Sequence, residues 1–248
     1  MVTKAVAGRS GKAPGEFRRS QNWIGGTRPG NAAFVPPPPH RIPDALSALE
    51  KYMHVQDDLP PLVRAGLLHV QFETIHPYLD GNGRVGRLLI SLLLEHWRLL
   101  SAPLLYLSLF FKRHRDEYYR RLSAVRTGGD WEGWIGYYLE GVGTIAGEAV
   151  DSARELFALV ARDRSAVLAT PSGSMMAARL FEMLPDHPVL TIARASSLLS
   201  TTRPTATKAV AALVDAGVLT EKSGRKRDRS FTYTAYLEVL KAGTELAE

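Results

Sequence analysis

Residues 76–87 read HPYLDGNGRVGR, and the reading of this stretch decides the rest. His76 closes a helical pattern and stands before Pro77, which disfavours helical backbone at the preceding residue. A neutral imidazole there can take up a proton near pH 7. Asp80 is a hard oxygen donor of the kind that holds Mg²⁺ together with substrate phosphates. Gly81 and Gly83 let main-chain N–H groups come close to a ligand. They open the next helix, where unpaired N–H groups and the helix dipole favour anions. Asn82 adds an amide donor. Arg84 and Arg87 are three residues apart, with Val85 and Gly86 between them, so both project from the first turn. Together these residues form an anion cradle with a base beside it and a metal ligand within it. Singly, each has an ordinary use: Gly-Asn-Gly as a turn, His before Pro as a helix end, the arginines as solvated charges. Their concentration in twelve residues points to chemistry.

Outward from this stretch the pattern is helical. Pro60 and Pro61 open a helix with Leu68, Phe72 and Ile75 on one face. His69 and Glu73, one turn apart on it, read as helix-internal structure rather than a metal pair. Downstream, an apolar helix runs over about 83–99 and Pro103 stops any continuation. Further helices are expected over about 112–126 and from 130 into the 160s. Upstream, Asp44 is read as the cap of a helix through about 57. Residues 21–35 place two aromatic and β-branched pieces around a Pro-Gly-Asn turn, which predicts a hairpin. Residues 36–39 are four prolines, stiff and extended. Residues 1–20 read as a loose basic lead-in. Near Thr170 the character changes: TPSGS marks a turn or linker, followed by short helices over 175–184, 191–200 and 204–216, then strand, basic turn and strand over 218–236.

Composition narrows the class. The chain has 248 residues, 45% of them apolar and 23% charged, which excludes disorder as an answer for the whole. It has no Cys, so a disulfide scaffold, a thiolate zinc site and a cysteine nucleophile are excluded. The run from Leu88 to Phe111 is interrupted by Glu95, His96 and Arg98, so no membrane span or membrane partner is expected. The basic N-terminus has no apolar core and does not read as a signal peptide. A cytoplasmic protein is the expectation. Of the net charge of +6, residues 1–45 carry +5, residues 46–169 carry −1 and residues 170–248 carry +2. The middle is therefore no general nucleic-acid surface, and the ends could meet anions.

The 76–87 segment resembles the signature of the Fic family, H-P-[FY]-x-[DE]-G-N-[GK]-R-x-x-R, at every defined position. NWIGG…FVPPPP, FETIHPYLDGNGRVGRLL, PLLYLSLFF and the EYY…GDW stretch are similar to bacterial Fic proteins with a C-terminal winged helix, over about residues 15–240. The resemblance implies a mainly α fold: a Fic-type helical bundle over 21–169 with a small β-hairpin flap at 21–35, then a winged helix-turn-helix domain over 170–248. It implies AMP transfer from ATP to a Ser, Thr or Tyr hydroxyl of a protein, with release of pyrophosphate. His76 would deprotonate the hydroxyl, and Asp80 would bind Mg²⁺ bridging the α- and β-phosphates. Gly81, Asn82 and Gly83 would hold those phosphates within an ATP-binding segment that runs on through Val85 and Gly86. Arg84 would assist the leaving pyrophosphate and Arg87 would reach the γ-phosphate. Tyr119 matches a family tyrosine beside the adenine, with Tyr118 next to it; helix core packing is the competing reading for both. Trp23, Ile24, Phe34 and Val35 would line up the target segment by strand pairing.

Many relatives of this architecture are autoinhibited through an [ST]-x-x-x-E-[GN] helix whose Glu engages the second motif arginine, here Arg87. Residues 1–22 hold only Glu16, with Lys12 four places before it and Phe17 after it. Residues 144–148 have the spacing but are followed by Ala149. No segment qualifies, so the expectation is a transferase able to modify itself as well as a target. In the C-terminal part, Arg203 and Lys208 on the recognition-helix segment and Arg225, Lys226 and Arg227 at the wing tip are candidate DNA contacts. Winged helices also serve in docking and dimerisation, so DNA and a second copy of the chain are both candidate partners. Removal of AMP, transfer of another phosphate group, or a DNA-binding regulator that only senses nucleotide remain the rival readings.

Overall fold

The computed structural model describes residues 15–102, 105–222 and 229–242. Two compact units divide the chain, Met1–Ala146 and Gly147–Glu248. Among the described residues no helix is long and apolar enough to cross a membrane.

The first unit is helical. Helix α1 is Ile42–Met53, α2 is Pro61–Ile75, α3 is Asn82–His96, α4 is Leu107–Arg113 and α5 is Arg115–Gly128. Helix α6, Trp131–Ala169, begins in this unit. Asp44 is not the cap of α1: the helix starts two residues earlier, with Pro43 in its first turn, where the fixed φ of proline suits a helix start. The single helix expected over about 112–126 is two, α4 and α5, which meet at His114 with φ −112° and ψ 43°.

Helix α2 is the centre. Ala65, Leu68, Val70, Phe72 and Ile75 are buried on several of its faces, so it is enclosed rather than amphipathic. Gly66 lets α6 approach: a Cβ there would lie 2.8 Å from the Tyr138 ring. In the space left, Trp134 Nε1 donates to the Gly66 carbonyl at 2.9 Å. Phe110, Phe111, Tyr118, Trp134, Tyr137 and Tyr138 pack into one aromatic core. Each fully buried side chain of this size contributes about 1.5–3 kcal/mol.

The predicted hairpin is present in minimal form. Ile24 and Phe34 make one antiparallel bridge, with Ile24 N–H donating to Phe34 O at 2.8 Å and Phe34 N–H donating to Ile24 O at 3.1 Å. The tip is tied by Asn31, whose Oδ1 accepts from the Thr27 and Arg28 N–H groups at 3.0 and 2.9 Å.

The second unit contains α7 Met175–Glu182, strand β1 Val189–Thr191, α8 Ile192–Leu198, α9 Arg203–Asp215, β2 Thr220–Glu221, β3 Ser230–Thr232 and α10 Thr234–Ala242. The strands form an antiparallel sheet in the order β1-β3-β2. Ser174, Thr191 and Thr202 cap α7, α8 and α9 through their hydroxyls, which explains where those helices begin. One expectation is corrected. Residues 218–236 do not continue as strand to Tyr236, because α10 starts at Thr234. The two compact units divide at Ala146/Gly147. The cause is packing: Leu159 and Val167 on α6 belong to the core formed by Leu180, Phe181, Leu213 and Phe231. Buried Asp163 on the same helix accepts a hydrogen bond from Tyr233 Oη at 2.7 Å.

Candidate active site

His76 sits where α2 ends. Its N–H donates to Phe72 O at 2.9 Å, and its backbone is left-handed, φ 49° and ψ 58°. A non-glycine residue there costs on the order of 1–3 kcal/mol and persists only where its surroundings fix it. Arg18 supplies that constraint. Its Nε donates to the His76 carbonyl at 3.0 Å, its N–H donates to the Pro77 carbonyl at 2.9 Å, and its guanidinium also bonds the Pro37 and Ser20 carbonyls. Arg18 is 3% exposed. The described end of the lead-in is therefore not loose: it is the clamp on the His76 turn.

The rest of the loop is held from within. Gly81 has φ 86°, a conformation that favours glycine, and its N–H donates to Asp80 Oδ1 at 2.7 Å. Asn82 is buried, and its amide is committed to Tyr78: Oδ1 accepts from Tyr78 N–H at 2.9 Å and Nδ2 donates to Tyr78 O at 2.8 Å. Asn82 thus closes the loop through its side chain. Val85 packs with Leu68 and Phe72, and Gly86 faces α2, where an added Cβ would lie 2.6 Å from Glu73 Oε1. Both serve the α2–α3 packing. Arg84 and Arg87 both border the cavity beside the loop. Arg84 Nη2 lies 3.7 Å from Asp80 Oδ2, and Arg87 Nε donates to Ser108 Oγ at 3.1 Å.

Those two arginines form one edge of a cavity of about 720 Å³, lined also by Ser108, Lys112, Arg115 and Tyr119. Four cations around one cavity suit a polyanionic ligand. Tyr119 is half exposed under the Arg115 guanidinium, 5.7 Å from its ring centre, and presents a flat face. Tyr118 also borders the cavity but is 4% exposed, and its Oη shares a hydrogen bond of 2.9 Å with His69 Nε2. It is chiefly a core residue. Lys112, Arg115 and Ser108 were missed by sequence reasoning; the recurrence of Ser108, Lys112 and Arg115 at helical spacing along α4 and α5 was the available signal.

Beneath the loop lie buried titratable groups. Burial pushes the His69 imidazole down to about 4. It pushes the His76 imidazole down to about 4 as well, with Arg126 and Arg18 adding to the effect and the Glu73 main-chain carbonyl opposing it. His76 is thus neutral at pH 7 and able to accept a proton. Burial pushes the Glu73 carboxyl up to about 7, against the pull of Arg87 and Arg126.

A Mg²⁺ ion held jointly with phosphates asks for one or two carboxylates, the remaining ligands being phosphate and water. Asp80, with its side chain 44% exposed, fits that donor set. Among the described residues no group of three or more His, Asp or Glu converges, so a cage made by the protein alone is not offered.

The remaining candidates fall as follows. Trp23 and Val35 are exposed on the hairpin, while Ile24 and Phe34 are half-buried and pair with each other. Arg203 and Lys208 are exposed on α9. Arg225, Lys226 and Arg227 lie outside the described residues.

Residues 2–94 match the family model described as Fic/DOC family. A probable protein adenylyltransferase of Aquifex aeolicus is 32% identical over 113 residues, which is 46% of this chain and 30% of that protein. The protein adenylyltransferase Fic of Culex quinquefasciatus is 33% identical over 116 residues, 46% of this chain and 21% of that protein. The chain therefore spans less than a third of these relatives. A solved Fic family protein from Desulfovibrio desulfuricans G20 superposes over 93% of this chain and 66% of its own, with a TM-score of 0.56 at 20% identity, a likeness of fold.

Proposed function

We propose that this chain, whose residues 2–94 match the Fic/DOC family model, is a protein adenylyltransferase acting in the cytoplasm. It would move AMP from ATP to a hydroxyl of a protein, including hydroxyls of its own. The observation that carries this reading is His76: neutral at pH 7, fixed in a strained turn, and followed within eleven residues by Asp80, Arg84 and Arg87. ATP would lie in the cationic cavity with its phosphates toward Arg84 and Arg87 and its purine against Tyr119.

In the reaction His76 takes the proton of the target hydroxyl. The oxygen forms a bond to the α-phosphorus, the bond from that phosphorus to the bridging β-oxygen breaks, and pyrophosphate leaves. The first turn of α3, including Gly83, offers N–H groups without intrahelical partners to the phosphates, and Arg84 and Arg87 balance the departing charge. Mg²⁺, held by Asp80 and the phosphates, would supply charge neutralisation at the phosphoryl oxygens. Little covalent work falls to the protein; positioning and electrostatics do most of it. Trp23, Ile24, Phe34 and Val35 would align the target segment by adding it as a strand to the hairpin edge.

We read residues 170–248 as a winged helix-turn-helix, with α8 and α9 as the helix pair and β2 and β3 as the wing. Exposed Arg203 and Lys208 make duplex DNA its proposed partner, and a second copy of the chain is the competing one.

The test uses ATP labelled on the α- or the γ-phosphate, with Mg²⁺ and a cell lysate. Label from the α-position should appear on the chain and on a target, and His76→Ala should lower it about 10²–10⁴-fold while nucleotide still binds. Asp80→Ala should lower transfer and weaken its dependence on Mg²⁺. Transfer of γ-label alone would replace this reading with phosphoryl transfer. Tight nucleotide binding without transfer would favour a sensor.

A further inference from the structure

Glu73 and His76 lie one turn apart at the end of α2, and Glu73 Oε2 is 4.0 Å from His76 Nδ1. Both groups are largely enclosed. Glu73 is 5% exposed, and neither its Oε1 nor His76 Nδ1 has a hydrogen-bond partner. Orphaned buried polar atoms are costly, so two on these neighbouring side chains in one strained turn call for an account. The gap exceeds a hydrogen bond by about 1 Å. A modest rotation of either side chain closes it.

We propose that Glu73 is the positioning partner of His76: its carboxylate accepts the Nδ1–H, fixing the ring's orientation and tautomer and leaving Nε2 with its lone pair toward the target hydroxyl. The inference rests on the reading of His76 as the base. After His76 takes the proton, the imidazolium has an anion beside it, as in any dyad where a carboxylate orients a histidine. No proton need pass to Glu73 for this to work.

The surroundings make the role specific. The cations that face His76 are Arg126 from α5 and Arg18 from the clamp, and both disfavour the imidazolium. Glu73 is faced by Arg87 from α3, by Arg126 and Tyr118 from α5, and by His76 at its own helix end. Glu73 is the carboxylate that can balance the charge appearing on His76. A competing acceptor is the Glu73 main-chain carbonyl, which already accepts from Arg126 Nη2 at 3.0 Å. Packing holds Glu73 in place: Gly86 leaves room for Oε1 and for nothing larger.

The experiment reads the His76 ring directly, in the full chain without nucleotide, by ¹⁵N NMR. The wild-type ring should be the Nδ1–H tautomer. At pH 8, where the Glu73 carboxyl is ionised, the tautomer should become mixed in Glu73→Gln and Glu73→Ala. In transfer assays Glu73→Gln should lower kcat roughly ten- to a hundred-fold, less than loss of the base itself, with the KM for ATP unchanged. Glu73→Asp should recover part of that loss. An unchanged tautomer in both variants at that pH would overturn the proposal and leave the carbonyl as the orienting group. Should a variant fail to fold, the wild-type spectrum decides, since an Nε2–H tautomer there overturns it equally. Full transfer activity in His76→Ala would instead overturn the base assignment, a separate outcome from the NMR result.

Discussion

The Arg126 guanidinium lies over the Phe34 ring, 3.9 Å from its centre. The same guanidinium donates to the Glu73 carbonyl at 3.0 Å and to Thr74 Oγ1 at 3.3 Å. One side chain from α5 thus holds the hairpin against the end of the helix that presents His76. A cation over an aromatic face that is shielded from water is worth about 2 kcal/mol.

Replacing Arg126 should therefore separate target use from nucleotide use. In Arg126→Leu, transfer to protein should fall at least about tenfold while the Kd for ATP stays within about twofold. Transfer rates and ATP titration in the same preparations would check this. An equal loss of both would assign Arg126 to the nucleotide cavity instead.

Lys112 and Arg115 give the cavity two cations beyond the signature arginines. Lys112→Glu with Arg115→Glu should weaken ATP binding by about tenfold or more at low salt, with a smaller difference at high salt because exposed charges are screened. Calorimetric titration at two ionic strengths would measure it. A salt-independent effect would mean that the pair acts through packing.

Gly86→Ala should destabilise the first unit. The new methyl would stand 2.6 Å from Glu73 Oε1 and 3.1 Å from the Phe72 ring, both buried, so α2 and α3 must shift apart. Overpacking of this kind costs about 1–3 kcal/mol. Denaturant unfolding would give the value. Gly128→Ala, with open space around its Cβ, is the control.

Stability should decline in mild acid for a definite reason. His69 and His76 bind protons more weakly folded, at about 4, than the ordinary imidazole value of 6.5. The stability linked to them is complete above about pH 6.5 and is lost as the pH falls toward about 4, because the unfolded chain takes up protons that the folded one refuses; the Glu73 carboxyl, raised to about 7, offsets part of this loss by binding its proton more tightly when folded. Thermal melts between pH 7 and 4 should show the drop, and His69→Gln, which cannot titrate, should flatten part of it. A parallel decline in the variant would place the acid sensitivity elsewhere.

The signature loop, the order of helices and the hairpin could be read from the chain because each has a local cause: Pro77 ends α2, Gly81 permits the turn, and Pro61 starts a helix. What escaped the reading is non-local. Arg18 looks like a solvated charge until the His76, Pro77 and Pro37 carbonyls are brought around it. The pairing of the Asn82 amide with both polar groups of the Tyr78 backbone has no mark in the sequence. Glu73 was read as internal to its helix, which it is, but only its closeness to His76, Gly86 and Arg87 gives it a task. The break at His114 carries no Pro or Gly to announce it, and the helix at Thr234 follows a strand with no turn residue between.

The left-handed backbone of His76 sets activity against durability. Alanine at that position would lose the base and keep the strain, whereas glycine would lose the base and release it. Of two equally dead proteins, the one with His76→Gly should unfold less readily than the one with His76→Ala. Selection for robustness alone would therefore drift toward discarding the base, and a histidine held in this conformation is the mark of a chain kept for its chemistry at some cost to its persistence.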